Sequence, residues 1–366
     1  MIRKSFGLAA VLFTALCGIF FVGCTKTSGR IIHREKTSRN VSRVVAPTEA
    51  NAAKAVEINV SFAHNQKALD NPYVYGAGAF KEKLEQLSGG SMQVVLYNGT
   101  MSEDEGTLFK KLQSNEADIV VISPGLVTAL GVPEIDVFSL EYLFDNFAHW
   151  GKVLDGQFGS QLAQIANQKT GNAFRILGYW SAGVRDYYGK KPIYKPSDLE
   201  GMTIRIGNSP VQIQFWQACG ATPKSVGWGD LYDALNKGTV DSAENDYTNF
   251  MLKDHHKTKN GHYICETEHD FTTRLMLVNA KFYDKLTAEQ KNYLEEAAKY
   301  ATQIERQKTF EQASSSKAKV IADGAEIIEN KDIDTAAFKK LAYPIQDEYA
   351  KKNNMEKFIK MVRDAR

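Results

Sequence analysis

The chain has 366 residues, with 45 Lys and Arg against 43 Asp and Glu, and 43% of it is hydrophobic. That length suits two domains or one large one, and the apolar fraction excludes a mainly disordered or collagen-like chain. A formal charge of +2 argues against a dedicated nucleic-acid binder, and four cysteines, at 17, 24, 219 and 265, exclude a disulfide scaffold and any CxxC zinc site.

The chain opens with Arg3-Lys4, an apolar run from Phe6 to Val22, and Gly23-Cys24. A basic start, a short apolar core and a small-residue end describe an export signal. The run is close to spanning length, so a retained membrane anchor is the alternative. Val22-Gly23-Cys24 resembles a bacterial lipobox, with Phe21 where Leu is commoner. The resemblance implies a lipoprotein signal peptide over 1–23 and lipidation of Cys24. Residues 24–56 then form a basic tether, in which seven Lys and Arg face only Glu35 and Glu49. Such cations favour an anionic lipid surface by about 1 kcal/mol each when close to it; they equally suit a solvated linker. Residues 55–366 carry 36 basic against 41 acidic residues, a mildly acidic globule.

The body alternates strands with helices. Val56–Ala63 alternates like a strand, Tyr73–Leu87 has helical spacing, and Ser88-Gly89-Gly90 breaks it. Met92–Tyr97 reads as a strand, Glu105–Gln113 as a helix and Ala117–Ser123 as an apolar strand. This order suits βαβ units on mainly parallel sheets. A similar pattern then returns: Leu108 to Asp118 and Leu231 to Asp241 both span ten residues, with an aromatic and a second Leu in matching places. Two lobes of similar build are expected, with the strands at Met92–Tyr97 and Met202–Ile206 in separate sheets and a ligand cleft between the lobes. The boundaries expected are 57–182 plus 271–310 for the first lobe and 183–270 plus 311–366 for the second. Thr287-Ala288-Glu289-Gln290 is a capping box, and an apolar stripe follows without Pro or Gly until Gly324. It predicts one helix of about thirty residues running across both lobes.

Several polar residues interrupt apolar segments. Arg205 stands between Ile204 and Ile206 in a strand pattern. If that strand is buried on both faces, its guanidinium needs a partner, and a carboxylate matches its fork of donors. An edge position or an internal ion pair is the alternative. Arg185 follows the segment Leu177–Val184, where the chain crosses between lobes; Asn245 ends a short strand; Trp228 lies between Gly227 and Gly229. Each has a structural reading as well: a hinge ion pair, a turn residue and a packed aromatic. His255-His256 diverge and suit a solvated helix end, and Gly76-Ala77-Gly78 lies in a helical stretch and lacks the last glycine of a dinucleotide loop. Cys219 and Cys265 are either paired or free and buried. No HExxH, GxSxG, Walker or GxGxxG motif occurs, so an enzyme is not expected.

From about Ile58 to Asp284 the chain resembles the substrate-binding subunits of tripartite ATP-independent periplasmic (TRAP) transporters, the DctP-like dicarboxylate-binding family. The pieces that carry the resemblance are Ser88-Gly89-Gly90, Gly183-Val184-Arg185, Lys191-Pro192-Ile193, the run Pro196–Arg205, Gly220-Ala221-Thr222-Pro223, and Leu231–Leu235 through Asp241–Asn245. The resemblance implies an α/β fold of two lobes, with a cleft between them and a long helix along both. It implies a small organic acid gripped by Arg205, with Arg185, Asn245 and Trp228 around it, and Glu105 and Ser123 near the ligand from the first lobe. Members of the family often carry Pro-Phe where this chain reads Glu141-Tyr142, and an acid there would repel a second carboxylate or read an amino or hydroxyl group. No cofactor and no metal are expected. The expected partners are the ligand and the membrane subunits of a sodium-coupled permease, in an extracytoplasmic, lipid-anchored setting. The mechanism expected is binding and lobe closure without chemistry; the alternative is a solute-sensing or structural lipoprotein of the same fold.

Overall fold

The computed structural model describes residues 55–207 and 209–366. The expected signal peptide, Cys24 and nearly all of the tether lie outside them. The chain runs β1 (Ile58–His64), α1 (Pro72–Leu87), β2 (Met92–Asn98), α2 (Glu105–Gln113), β3 (Ile119–Ile122), α3 (Gly125–Thr128), α4 (Phe147–Leu154) and α5 (Gln157–Lys169) into the long strand β4 (Phe174–Gly189). It continues through β5 (Thr203–Ile206), α6 (Pro210–Ala218), β6 (Thr222–Ser225), α7 (Leu231–Lys237), β7 (Ser242–Asn245) and α8 (Tyr247–Leu252) to a second long strand, β8 (Tyr263–Asn279). Then come α9 (Ala280–Lys285), α10 (Ala288–Ala322), β9 (Glu326–Ile328), α11 (Thr335–Asn353) and α12 (Glu356–Asp364).

Local chemistry explains the element ends. Asn71 caps α1 by accepting from the Tyr73 N–H, with Pro72 in the first turn, where its missing N–H costs nothing. Thr287 and Gln290 close the capping box reciprocally, and α10 runs unbroken for 35 residues. All four residues of β3 are buried, as suits a strand covered on both faces.

Pairing follows the order β2-β1-β3-β8-β4-β7-β5-β6, with β9 on β8. The β1/β2, β1/β3, β5/β6, β5/β7 and β8/β9 pairs are parallel, and β3/β8, β4/β8 and β4/β7 antiparallel. The expected separation of β2 and β5 into two sheets is therefore corrected: one hydrogen-bonded path joins them. The reason is length, since β4 and β8 have 16 and 17 residues and each runs through both halves of the molecule.

The two lobes are distinguished by where side chains pack. Phe62, Phe80, Met92 and Trp180 share a first-lobe core, as do Leu108, Trp150, Phe158 and Leu275. Ile204, Phe215, Trp216 and Tyr187 share a second-lobe core, beside Tyr188, Leu231 and Phe250. The helix α10 buries Leu294, Ala297, Ala298 and Ala301 in the first lobe and Val320 in the second. The assignment of all of 311–366 to the second lobe is corrected at its end. Phe338 and Ala342 of α11 pack there, but Tyr349, Met355, Phe358, Ile359 and Val362 pack with Phe158 and Leu162 of the first lobe. The spacing of Phe358, Ile359 and Val362 gives α12 one apolar face, and α5 offers the surface that covers it.

Where β4 passes between lobes its register against β8 breaks twice, between Ser181 and Val184 and between Arg185 and Tyr187. Gly183 in the first break has φ +88°, and a Cβ there would lie 2.5 Å from the Asp246 Cβ. Only glycine fits.

Candidate functional site

A cavity of about 480 Å³ lies between the lobes, within the usual range for small-ligand sites. Arg185, Arg205, Trp228 and Asn245 border it from the second lobe and Glu105 and Ser123 from the first, so the structure brings all six expected cleft residues around one space. A second chamber of about 360 Å³ adjoins it, sharing Ser123, Arg185, Arg205, Gly207 and Arg274 as walls.

Arg205 reaches the cavity because β5 alternates. Ile204 and Ile206 are buried in the second-lobe core, and Thr203 and Arg205 take the other face. The strand is thus not covered on both faces; one face borders the cleft. Arg205 Nε donates to the Val226 carbonyl at 3.0 Å, and no carboxylate lies within 4.0 Å of the guanidinium among the described residues. Burial lowers its pKa, Glu244 opposes this and Arg185 adds to it. The Arg205 Cζ stands 5.8 Å from the Trp228 ring centre, inside the cation–π range. Trp228 is at the rim, with the His255 ring edge-on to it at 5.4 Å.

Arg185 differs in being paired. Its Nε donates to Glu244 Oε2, its Nη2 to Glu244 Oε1 and to the Glu244 carbonyl, both at 2.8 Å, and its Nη1 to Asn245 Oδ1 at 3.2 Å. Burial pushes the Glu244 carboxyl up, but the Arg185 charge and hydrogen bonds from His269 and Arg185 outweigh it and hold it at about 2. Asn245 spends its oxygen on Arg185 and on the Asp246 N–H, and its amide nitrogen makes no hydrogen bond among the described residues. In the first lobe, Asp104 caps α2, which starts at Glu105, and Glu105 Oε2 accepts from the Ser123 N–H at 2.9 Å.

Three expectations need correction or completion. Glu141 lines neither chamber. It is buried away from both, so it does not face a ligand there; burial, with Asp270 and Glu244 nearby, pushes its carboxyl well above the usual range. His255 and His256 are both buried rather than solvated: His255 Nδ1 meets the Tyr188 hydroxyl at 2.8 Å and His256 Nε2 meets Asp323 at 3.2 Å. Cys219 and Cys265 are free and buried, and burial pushes both thiols up to about 12. Several cleft residues were not among those expected, Asn65, Gln66, Asn71 and Arg274 among them. Arg274, on β8, borders both chambers, and its signal was the one that marked Arg205: a lone arginine in an apolar strand, Arg274-Leu275-Met276-Leu277.

A two-lobed α/β body with an arginine-walled cleft defines a solute receptor. Residues 62–353 match the model of the bacterial extracellular solute-binding proteins, family 7, and the chain belongs to that family. It is 28% identical over 309 residues to the C4-dicarboxylate-binding periplasmic protein DctP of Rhodobacter capsulatus, covering 83% of this chain and 90% of that one. Among solved structures it is similar to a TRAP periplasmic solute-binding protein of Citrobacter koseri with bound D-glucuronate (TM-score 0.72, 26% identity, 84% of this chain and 99% of that one). Another, from Sulfitobacter sp. NAS-14.1, holds β-D-galacturonate (TM-score 0.72, 25% identity, 84% and 99%). The resemblance to TRAP substrate-binding subunits and the two-lobed α/β fold hold, and the chain is a solute-binding protein, not an enzyme.

Proposed function

We propose that this protein captures a small organic acid, of the uronate class, in the interlobe cleft and delivers it to the membrane subunits of a sodium-coupled TRAP permease. The observation that carries the reading is Arg205: a partly buried guanidinium on the cleft wall, with no carboxylate within 4.0 Å among the described residues. Its Nη groups are available for the two parallel hydrogen bonds that a carboxylate accepts from such a fork. Arg185, whose charge Glu244 already balances, fixes the wall and points Asn245 toward the cavity. The uronates bound by two similar proteins support the ligand class. Family membership favours transport over sensing or a structural role.

Isothermal calorimetry with D-glucuronate and D-galacturonate tests the grip. Truncating one partner of a desolvated charge pair removes about 2–5 kcal/mol, so Arg205→Ala should weaken binding roughly thirty-fold or more. Arg205→Lys keeps the charge and loses the fork, and should fall between the two. Wild-type affinity in Arg205→Ala would remove the carboxylate role.

The protein is further proposed to be held at the membrane through lipidated Cys24, with residues 1–23 removed and the basic segment as tether. The support is the Gly23-Cys24 junction after the apolar run. Cys24→Ser should release the protein from membranes in detergent-free fractionation. A variant that stays bound and retains residues 1–23 has an uncleaved anchor instead.

A further inference from the structure

Glu105 and Arg274 border the cavity from the first lobe, whereas Arg205 comes from the second. Glu105 is held in place: Oε2 accepts from the Ser123 N–H at 2.9 Å and Oε1 from Asn65 Nδ2 at 3.3 Å. Glu105 Oε1 stands 4.0 Å from Arg274 Nε, beyond hydrogen-bond length. Arg274 Nη1 donates to the Thr273 carbonyl at 3.1 Å, but its Nε is buried without a partner. The two side chains are only 18% and 20% exposed, so an unmade hydrogen bond here is not freely replaced by bulk water.

The wall therefore offers a carboxylate acceptor and guanidinium donors side by side, close enough to attract but not joined. A hydroxyl suits such a pair, because its oxygen accepts from the guanidinium while its O–H donates to the carboxylate. A second carboxylate does not suit it: that group gains Arg274 but meets the negative Glu105 at the same place. The amides of Asn65, Gln66 and Asn71 on the same wall also both donate and accept.

We propose that the Glu105–Arg274 pair reads a hydroxyl group at the end of the ligand remote from its carboxylate, and that Glu105 excludes acids with a second carboxylate there. The inference rests on Arg205 as the carboxylate anchor. It makes the cleft selective for monoanionic hydroxy acids through an element pair on the first lobe.

The test is calorimetry on the full mature protein with D-galacturonate and D-glucuronate, each against its diacid counterpart, galactarate or glucarate. The parent should prefer a uronate over its diacid by roughly tenfold or more, about the effect of one like-charge contact. Glu105→Gln keeps an acceptor for the Ser123 N–H and removes the charge; it should shrink that ratio by roughly tenfold, losing uronate affinity or gaining diacid affinity. Arg274→Met should weaken uronate binding roughly tenfold. A folding defect lowers both ligands alike, so the ratio reports specificity alone. An unchanged ratio in Glu105→Gln, with binding still lost in Arg205→Ala, overturns this inference and leaves the carboxylate reading standing. A parent that binds neither acid class overturns both.

Discussion

Arg185 and Arg205 stand on the same side of the cleft in opposite electrostatic situations. Arg185 is neutralised by a buried carboxylate, and Arg205 is not. Removing one partner of such a buried pair strands the other charge, so Glu244→Gln should lower stability at pH 7 by roughly 3–5 kcal/mol. The pH dependence has a definite sign. The Glu244 carboxyl sits at about 2 in the folded protein, below its ordinary value of 4.5, so its contribution is complete above about pH 4.5 and is lost as pH falls toward 2. Urea denaturation between pH 7 and pH 2.5 should show the parent losing stability on this limb and Glu244→Gln losing less. Parallel curves would mean that the pair contributes nothing. The cleft-wall position of Arg205 was expected from the family resemblance; its strand pattern alone suited an edge position or an internal ion pair equally well. The Arg185–Glu244 pair was not legible, because the partners are 59 residues apart and only the β4/β7 pairing brings them together. The buried histidines misled for a related reason: Tyr188 and Asp323, which partner them, are each 67 positions away.

At the scale of elements, the long helix packs closely on α1. A Cβ on Gly76 would lie 2.8 Å from the Glu305 Cβ and 2.8 Å from the Trp180 ring, whereas a Cβ on Gly78 would meet nothing within 4 Å. Two glycines two positions apart thus have different reasons to exist. Gly76→Val should destabilise by about 1–3 kcal/mol through overpacking, and Gly78→Ala should stabilise by about 0.5–1 kcal/mol, since glycine inside a helix costs that much. Thermal unfolding followed by circular dichroism orders the three proteins; a Gly76→Val variant as stable as the parent would show that α1 can shift away from α10. The helices α1, α2 and α10 were readable because helical spacing and the Thr287 capping box are local, whereas α4, α5, α6, α11 and α12 were not assigned. The sheet path was not readable, because it depends on β4 and β8 crossing the whole molecule, and their register breaks at Gly183 and Asp186 hide the strand period.

On the scale of the whole molecule, β4, β8, α10 and α11 each contribute side chains to both lobes. A ligand bridging Arg205 and the first-lobe wall favours the state in which the lobes lie closest, by its differential affinity for that state. Small-angle scattering should show the radius of gyration falling when a saturating uronate is added to the parent, and not when it is added to Arg205→Ala. An unchanged radius in the parent would describe a rigid cleft.

The position of α12 also sets when the protein can finish folding. Its Phe358, Ile359 and Val362 complete a core whose other walls come from much earlier in the chain, Phe158 and Leu162 among them. Synthesis proceeds from the N-terminus, so this core stays open until the last residues have emerged. Until α12 docks, the unfinished core leaves apolar surface exposed on the nascent chain, as incompletely packed folding intermediates do. A chain ending at Asn354 should therefore bind a hydrophobic dye and be cut rapidly by protease, while the full chain resists both.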